Sequence, residues 1–186
     1  QTAMQSQLQH ILVVVGSEKD KILKQISKYP VIIAENKNWQ DGMLSSVQCG
    51  LKALPDDTDA VMILLGDQPM VNGHITNQLA DSYNHTDRGI VIASHNGKRG
   101  HPILFNKKYK NEIEKLQSHQ SLHDFTRKFE ADILEVETDT ADILKDIDTE
   151  ELKALVEAYV ALGKNLWEAS PEFREMVGKT ITDDGP

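Results

Sequence analysis

Ala60-Val61-Met62-Ile63-Leu64-Leu65-Gly66-Asp67-Gln68-Pro69 is the stretch on which the reading of this chain turns. Its first six residues are apolar on both faces, the pattern of a strand covered from both sides, as in the middle of a parallel sheet. Gly66 and Pro69 then break the strand around Asp67 and Gln68. Outward from it, strand-like runs alternate with helical periodicity. Gln9 to Gly16, Val31 to Ala34, Gly89 to Ser94, Ile103 to Phe105 and Ile133 to Val136 read as strands, with Ile143 to Ile147 as an edge segment. Between them lie Ile22, Leu23, Ile26 and Tyr29, with Ser17 as cap, then Met43, Leu44, Val47, Leu51 and Leu54. Next come Asn72 with Ile75, Leu79 and Tyr83, and two helices near Lys108 to Leu116 and Ser121 to Phe129. Such alternation predicts an α/β fold of three layers, a mostly parallel sheet between helices. From Thr149 the pattern becomes helical only, with Leu152, Leu155, Val156, Tyr159, Leu162, Leu166 and Trp167 on one stripe and Ser170-Pro171 opening a last helix. The expected division is an α/β domain over 1–150 and a helical C-terminal appendage over 151–186.

Composition narrows the function. Twenty basic against 29 acidic side chains give a net charge of −9. That balance opposes binding of duplex nucleic acid, whose backbone needs a basic surface. An anionic substrate would have to be held by local devices: a metal ion, helix N-termini or a few placed basic groups. No apolar run approaches the roughly 20 residues of a membrane-spanning helix. Cys49 is the single cysteine, so an internal disulfide framework is excluded, and the expected location is the cytoplasm.

In open α/β sheets, ligands gather at the carboxyl ends of strands. Three polar clusters fall there. Asn36 to Ser46 leads into a helix N-terminus, and its amides and hydroxyls suit a phosphate, ribose or base edge, or else simply cap the helix. Asp67 follows the apolar strand, where an acid either binds a hard cation between phosphate oxygens or caps the next turn. In Asp146-Ile147-Asp148-Thr149, alternation puts the two acids on one side, where they repel unless a cation or donors lie near. Arg99-Gly100-His101-Pro102 reads as a tight loop between strands. His119 and His123 have a spacing seen in zinc sites but no evident third ligand.

Taken together, Glu35-Asn36, Trp39, Gly42-Met43, Ser46-Val47 and Gly50-Leu51, then Leu65-Gly66-Asp67-Gln68-Pro69, then Arg99-Gly100-His101-Pro102 with Phe105, then Asp146-Ile147-Asp148-Thr149-Glu150-Glu151-Leu152, resemble the molybdenum cofactor cytidylyltransferases. These belong to the molybdopterin nucleotidyltransferase group. The likeness runs from about Gln1 to Leu152 in order and spacing. It implies a Rossmann-like nucleotidyltransferase fold and transfer of CMP from CTP to molybdopterin with release of pyrophosphate. The product serves molybdenum hydroxylases such as xanthine dehydrogenase. By resemblance, Mg2+ is the cofactor, with Asp67 and Asp148 as catalytic metal ligands and Asp146 as the alternative to Asp148. Gly42, Met43, Ser45, Ser46, Gly66 and Gln68 would bind the nucleotide, and Arg99, Gly100, His101 and Pro102 would border the pterin.

The family's Gly-rich loop, whose amides, Arg and Lys hold the triphosphate, has no counterpart from Gln1 onward. Either it precedes Gln1 or the clamp is lost. In the second case a carrier or insertion chaperone for the molybdenum cofactor is the expected alternative. A nucleotidyltransferase with another base or acceptor is the other. Ser118-His119-Gln120-Ser121 stands where relatives carry a Gly-Asp loop.

Overall fold

A computed structural model describes residues 3–145. The expected helical appendage over 151–186, Ile147, and the acids Asp146 and Asp148 lie outside the described residues. By compactness, the described residues up to Leu65, with Val71–Leu144, form one unit, and Gly66–Met70 belongs to a second.

The first unit holds six strands: β1 (Leu12–Val15), β2 (Ile32–Glu35), β3 (Ala60–Ile63), β4 (Ile90–His95), β5 (Lys98–Asn106) and β6 (Ile133–Glu137). Its five α-helices are α1 (Lys19–Ile26), α2 (Met43–Lys52), α3 (Gly73–Asn84), α4 (Lys110–Glu114) and α5 (Leu122–Lys128). β1 and β2 pair in parallel as a separate two-stranded ladder. The other four run in the order β3-β5-β4-β6. β5 is antiparallel to both neighbours, and β4 pairs with β6 in parallel, so β3, β4 and β6 share one direction.

Alternation along these strands divides the core. Ile90, Ile92, Ile103 and Phe105 face a cluster with Leu44 and Leu51 of α2, Tyr109, Ile113 of α4, and Leu122 and Phe125 of α5. The residues between them, Val91, Ala93 and Leu104, face Val71, Ile75, Leu79, Val136 and Ile143. Helices therefore cover both faces, which gives the three layers expected. Phe125 meets Phe105 and Tyr109 edge-on at 5.4 and 5.3 Å.

The capping signals in the sequence act locally. Asn72 accepts hydrogen bonds from the backbone N–H groups of His74 and Ile75 at the start of α3. Ser121 and Asp124 form a reciprocal capping box at α5. Ser17 does not cap α1: Glu18 holds that position in a left-handed conformation, without a side-chain cap.

Three further expectations are corrected. Among the described residues β3 pairs with β5, antiparallel and not parallel to it, and its alternating residues face the two apolar clusters on either side of the sheet. Arg99 to Pro102 are not a loop. Asn96 and Gly97, with φ of 50° and 73°, turn the chain in two residues, so the ladder restarts with His95 opposite Lys98 and β5 runs through all four residues. The segment at Ile143 is a 3-10 turn, Ala141–Leu144, and not a strand. Its passage depends on Gly100, where a Cβ would lie 2.2 Å from the carbonyl oxygen of Ile143.

Candidate active site

β1 and β2 run in parallel, so their carboxyl ends lie side by side, and the polar segment from Asn36 to Ser46 begins there. Asn36, 5% exposed, is its keystone. Its amide Nδ2 donates to Ser45 Oγ at 2.8 Å and to Ser46 Oγ at 3.0 Å. Its Oδ1 accepts from the backbone N–H of Asn38 at 2.9 Å. The Ser45 hydroxyl in turn points its hydrogen toward the carbonyls of Gly42 (2.8 Å) and Asn38 (3.0 Å). One amide thus joins the strand end, the 3-10 turn Trp39–Asp41 and the first turn of α2. Gly42 enters α2 with φ of 90°, a conformation L side chains rarely adopt. Sequence reasoning placed Gly42, Met43, Ser45 and Ser46 here but missed Asn36 as the residue that joins them. The one signal was an Asn directly after a strand and ahead of paired serines.

The helix behind this loop is held firmly. Gly50 packs α2 against β1, with a Cβ position 3.1 Å from Val14. Gln48 Nε2 donates to the carbonyls of Ile113, Glu114 and Leu116, which fall at the end of α4 and just beyond. At the loop's surface, Met43 and Trp39 are 47% and 43% exposed.

In the second unit, Gly66, Asp67 and Pro69 are exposed while Gln68 and Met70 are buried. An exposed carboxylate after a strand suits cation binding. Among the described residues, no group of three or more His, Cys, Asp or Glu side chains is assembled to hold a metal ion. Of the candidate ligands, Asp67 alone lies within them.

The residues expected to border the pterin take varied places. The Arg99 guanidinium spans two carboxylates, bonding Glu130 at 2.8 and 2.5 Å and Glu135 at 2.9 and 2.6 Å. Glu130, then Glu135, hold the guanidinium ionised against its partial burial, and Arg99 pulls the Glu130 carboxyl below its usual range. Gly100 lies under Ile143 as described, His101 is half-buried, and Pro102 is buried after a cis peptide. At the hairpin end of β4, Glu137 accepts from the Asn96 N–H at 2.7 Å and the Ser94 hydroxyl at 3.0 Å. The Asn96 N–H, ahead of Ser94, keeps that carboxyl below its ordinary value. His95 Nδ1 lies 2.8 Å from the Thr138 carbonyl, which can only accept, so Nδ1 carries the proton.

A family model described as the MobA-like NTP transferase domain matches residues 1–134. The chain belongs to that family. No curated protein matches it in sequence. Among solved structures it is similar to Rv0371c from Mycobacterium tuberculosis H37Rv in complex with manganese, at 17% identity over 84% of this chain and 82% of that one, TM-score 0.70. It is also similar to the nucleotidyl transferase Mth528 from Methanothermobacter thermautotroptrophicus, at 16% identity over 88% and 78%, TM-score 0.70. A third is the 4-diphosphocytidyl-2C-methyl-D-erythritol synthase of Anaerococcus prevotii, at 16% over 86% and 84%, TM-score 0.65. At such identities the likeness carries the fold. Within the MobA-like fold the Asn36-centred loop lies at strand carboxyl ends, where nucleotides bind in open α/β sheets. Among the described residues, no helix is long and apolar enough to cross a membrane.

Proposed function

We propose that this MobA-like chain transfers CMP from CTP to molybdopterin and releases pyrophosphate. Membership of the NTP transferase family, found over residues 1–134, is the observation that carries the reading. The Asn36 cluster supports it at the level of residues. Ser46 Oγ accepts from Asn36 and can still donate its hydroxyl hydrogen, which suits a base or ribose oxygen. The backbone at Gly42, Met43 and Ser45 opens α2 beside it. Gly66 and Gln68 flank Asp67 as further nucleotide contacts by resemblance to the cytidylyltransferases.

In the proposed reaction an oxygen of the acceptor's phosphate attacks the α-phosphorus of CTP. The bond to the bridging oxygen breaks, and pyrophosphate leaves. Asp67 and Asp148, or Asp146 in place of Asp148, would hold Mg2+. The ion would neutralise charge building on the α-phosphate and the leaving group. Manganese in the Rv0371c complex and the exposed Asp67 carboxylate support a divalent ion. No protein nucleophile is needed, in keeping with Cys49 as a half-buried helix residue. Arg99 to Pro102 would border the pterin. The product would go on to a molybdenum hydroxylase.

The choice of cytosine rests on the resemblance and on the diphosphocytidyl synthase among the structural neighbours. Competition of CTP against GTP, with molybdopterin as acceptor and Mg2+ present, tests it on the full-length protein. Faster incorporation of CMP is expected. A GTP preference assigns the protein to guanylyl transfer, and turnover only with another acceptor removes molybdopterin from the reading.

A further inference from the structure

Trp39 is built into the Asn36 cluster, yet the fold leaves the residue 43% exposed. The backbone that carries it is fixed on both sides. The Asn38 N–H donates to Asn36 Oδ1 at 2.9 Å, and the Asn38 carbonyl accepts from Ser45 Oγ at 3.0 Å and from the Asp41 N–H at 2.9 Å. The Trp39 carbonyl accepts from the Gly42 N–H at 3.2 Å. Beneath it lies Gly16, just past β1. A Cβ there would come within 2.5 Å of Trp39 Cβ and 2.9 Å of Cγ, so only glycine leaves room for the root of the indole. The side chains that would address a nucleotide therefore also hold the backbone that enters Trp39. A large aromatic residue crowded at its base and still 43% exposed is suited to receive a flat ring, because every base presents a π-face.

We infer that Trp39 is the stacking residue for the base of the bound nucleotide: its indole receives the pyrimidine ring while Ser46 addresses the polar edge. The inference rests on the reading of the Asn36 loop as a nucleotide site. The base is favoured over the acceptor's pterin as occupant because Asn36, which bonds Ser46, also holds the Asn38 N–H directly before Trp39.

Two probes separate the ring from the phosphates: CTP with Mg2+, and inorganic tripolyphosphate with Mg2+. Both are titrated into the full-length native protein, Trp39→Ala and Trp39→Phe, with the KM for molybdopterin measured at saturating CTP. Trp39→Ala should weaken CTP about 5- to 100-fold, the range found for truncated stacking aromatics. It should leave tripolyphosphate affinity and the molybdopterin KM within about twofold. Trp39→Phe should keep CTP within about threefold, and it stands as the test if the alanine variant fails to fold, a loss there of tenfold for both probes alike contradicting stacking. CTP affinity unchanged in Trp39→Ala overturns the inference, as does an equal loss for both probes, or a loss confined to the molybdopterin KM. If the native protein binds tripolyphosphate but shows no saturable CTP binding, the nucleotide-site reading has itself failed, and the inference with it.

Discussion

Two motif stretches that look alike in sequence, polar and glycine-containing, behave differently in the fold. From Asn36 to Ser46, the polar groups are held by one another in a loop at a strand's carboxyl end, and exposed surface remains at Trp39 and Met43. From Arg99 to Pro102, the chain is a strand, its one charge is taken by Glu130 and Glu135, and its glycine makes room for another backbone. The first arrangement suits the nucleotide site proposed for it. The second fastens β5 to its neighbours: Arg99 reaches past β4 to β6 through Glu135, and Gly100 admits the turn at Ile143. A motif's membership in a family pattern thus does not say how much of it also serves architecture, beside the chemistry proposed for it. The hydrogen-bond partners do.

That contrast can be broken by substitution, with thermal and denaturant unfolding as the readout. Gly100→Val should be the most damaging, because its Cβ falls 2.2 Å from the Ile143 oxygen and the partner is backbone, which cannot step aside. A loss of about 3 kcal/mol or more is expected; a native-like unfolding midpoint would show that the turn at Ile143 is not seated on β5 as described. Asn36→Ala should cost less, about 2 kcal/mol, since it strips partners from the Asn38 N–H and two hydroxyls in a site only 5% exposed. It should also weaken CTP binding, which Arg99→Met should not do to the same degree. Arg99→Met should cost less stability again, because its carboxylate partners are largely solvated. If Arg99→Met instead exceeds Asn36→Ala in both stability and nucleotide affinity, the assignment of roles is reversed.

A smaller, pH-dependent effect sharpens the architectural side. Burial alone would raise the Asp132 carboxyl, but the Lys108 ammonium at 2.7 Å, the Tyr109 hydroxyl and the Gly89 N–H outweigh it and hold it at about 2, against an ordinary 3.8. A carboxyl depressed in the folded state stabilises at pH above its unfolded value and loses that contribution as pH falls. Stability should therefore decline from about pH 4 toward pH 2 in the native protein, and less steeply in Asp132→Asn. Parallel pH slopes for the two would refute the linkage.

Much of the layering was readable beforehand. Asn72 ahead of Ile75, Leu79 and Tyr83, and Ser121 ahead of Asp124, are local signals whose physics needs no distant partner. What escaped depends on pairing across the chain. Ala60 to Ile63 is apolar on both faces wherever layers cover it, so periodicity could not place β3 beside β5 at the end of the four-strand order. Gly100 and Pro102 read as breakers, and only the Asn96-Gly97 dipeptide hinted that the turn was already complete. In the candidate site, residue types were legible but their connection was not: Asn36 meets serines nine and ten positions later because α2 folds back on β1 and β2.

Pyrophosphate release from CTP in the presence of molybdopterin, with and without Mg2+, tests the proposed chemistry most directly when native full-length protein is compared with Asp67→Asn at matched stability. Removing the charge of a metal ligand should cost several kcal/mol of transition-state stabilisation, so the variant should fall far below about a tenth of the native rate and lose its response to added Mg2+. Retention of more than about a tenth of that rate, still dependent on Mg2+, would contradict Asp67 as the ligand and with it the metal-assisted transfer proposed for this site.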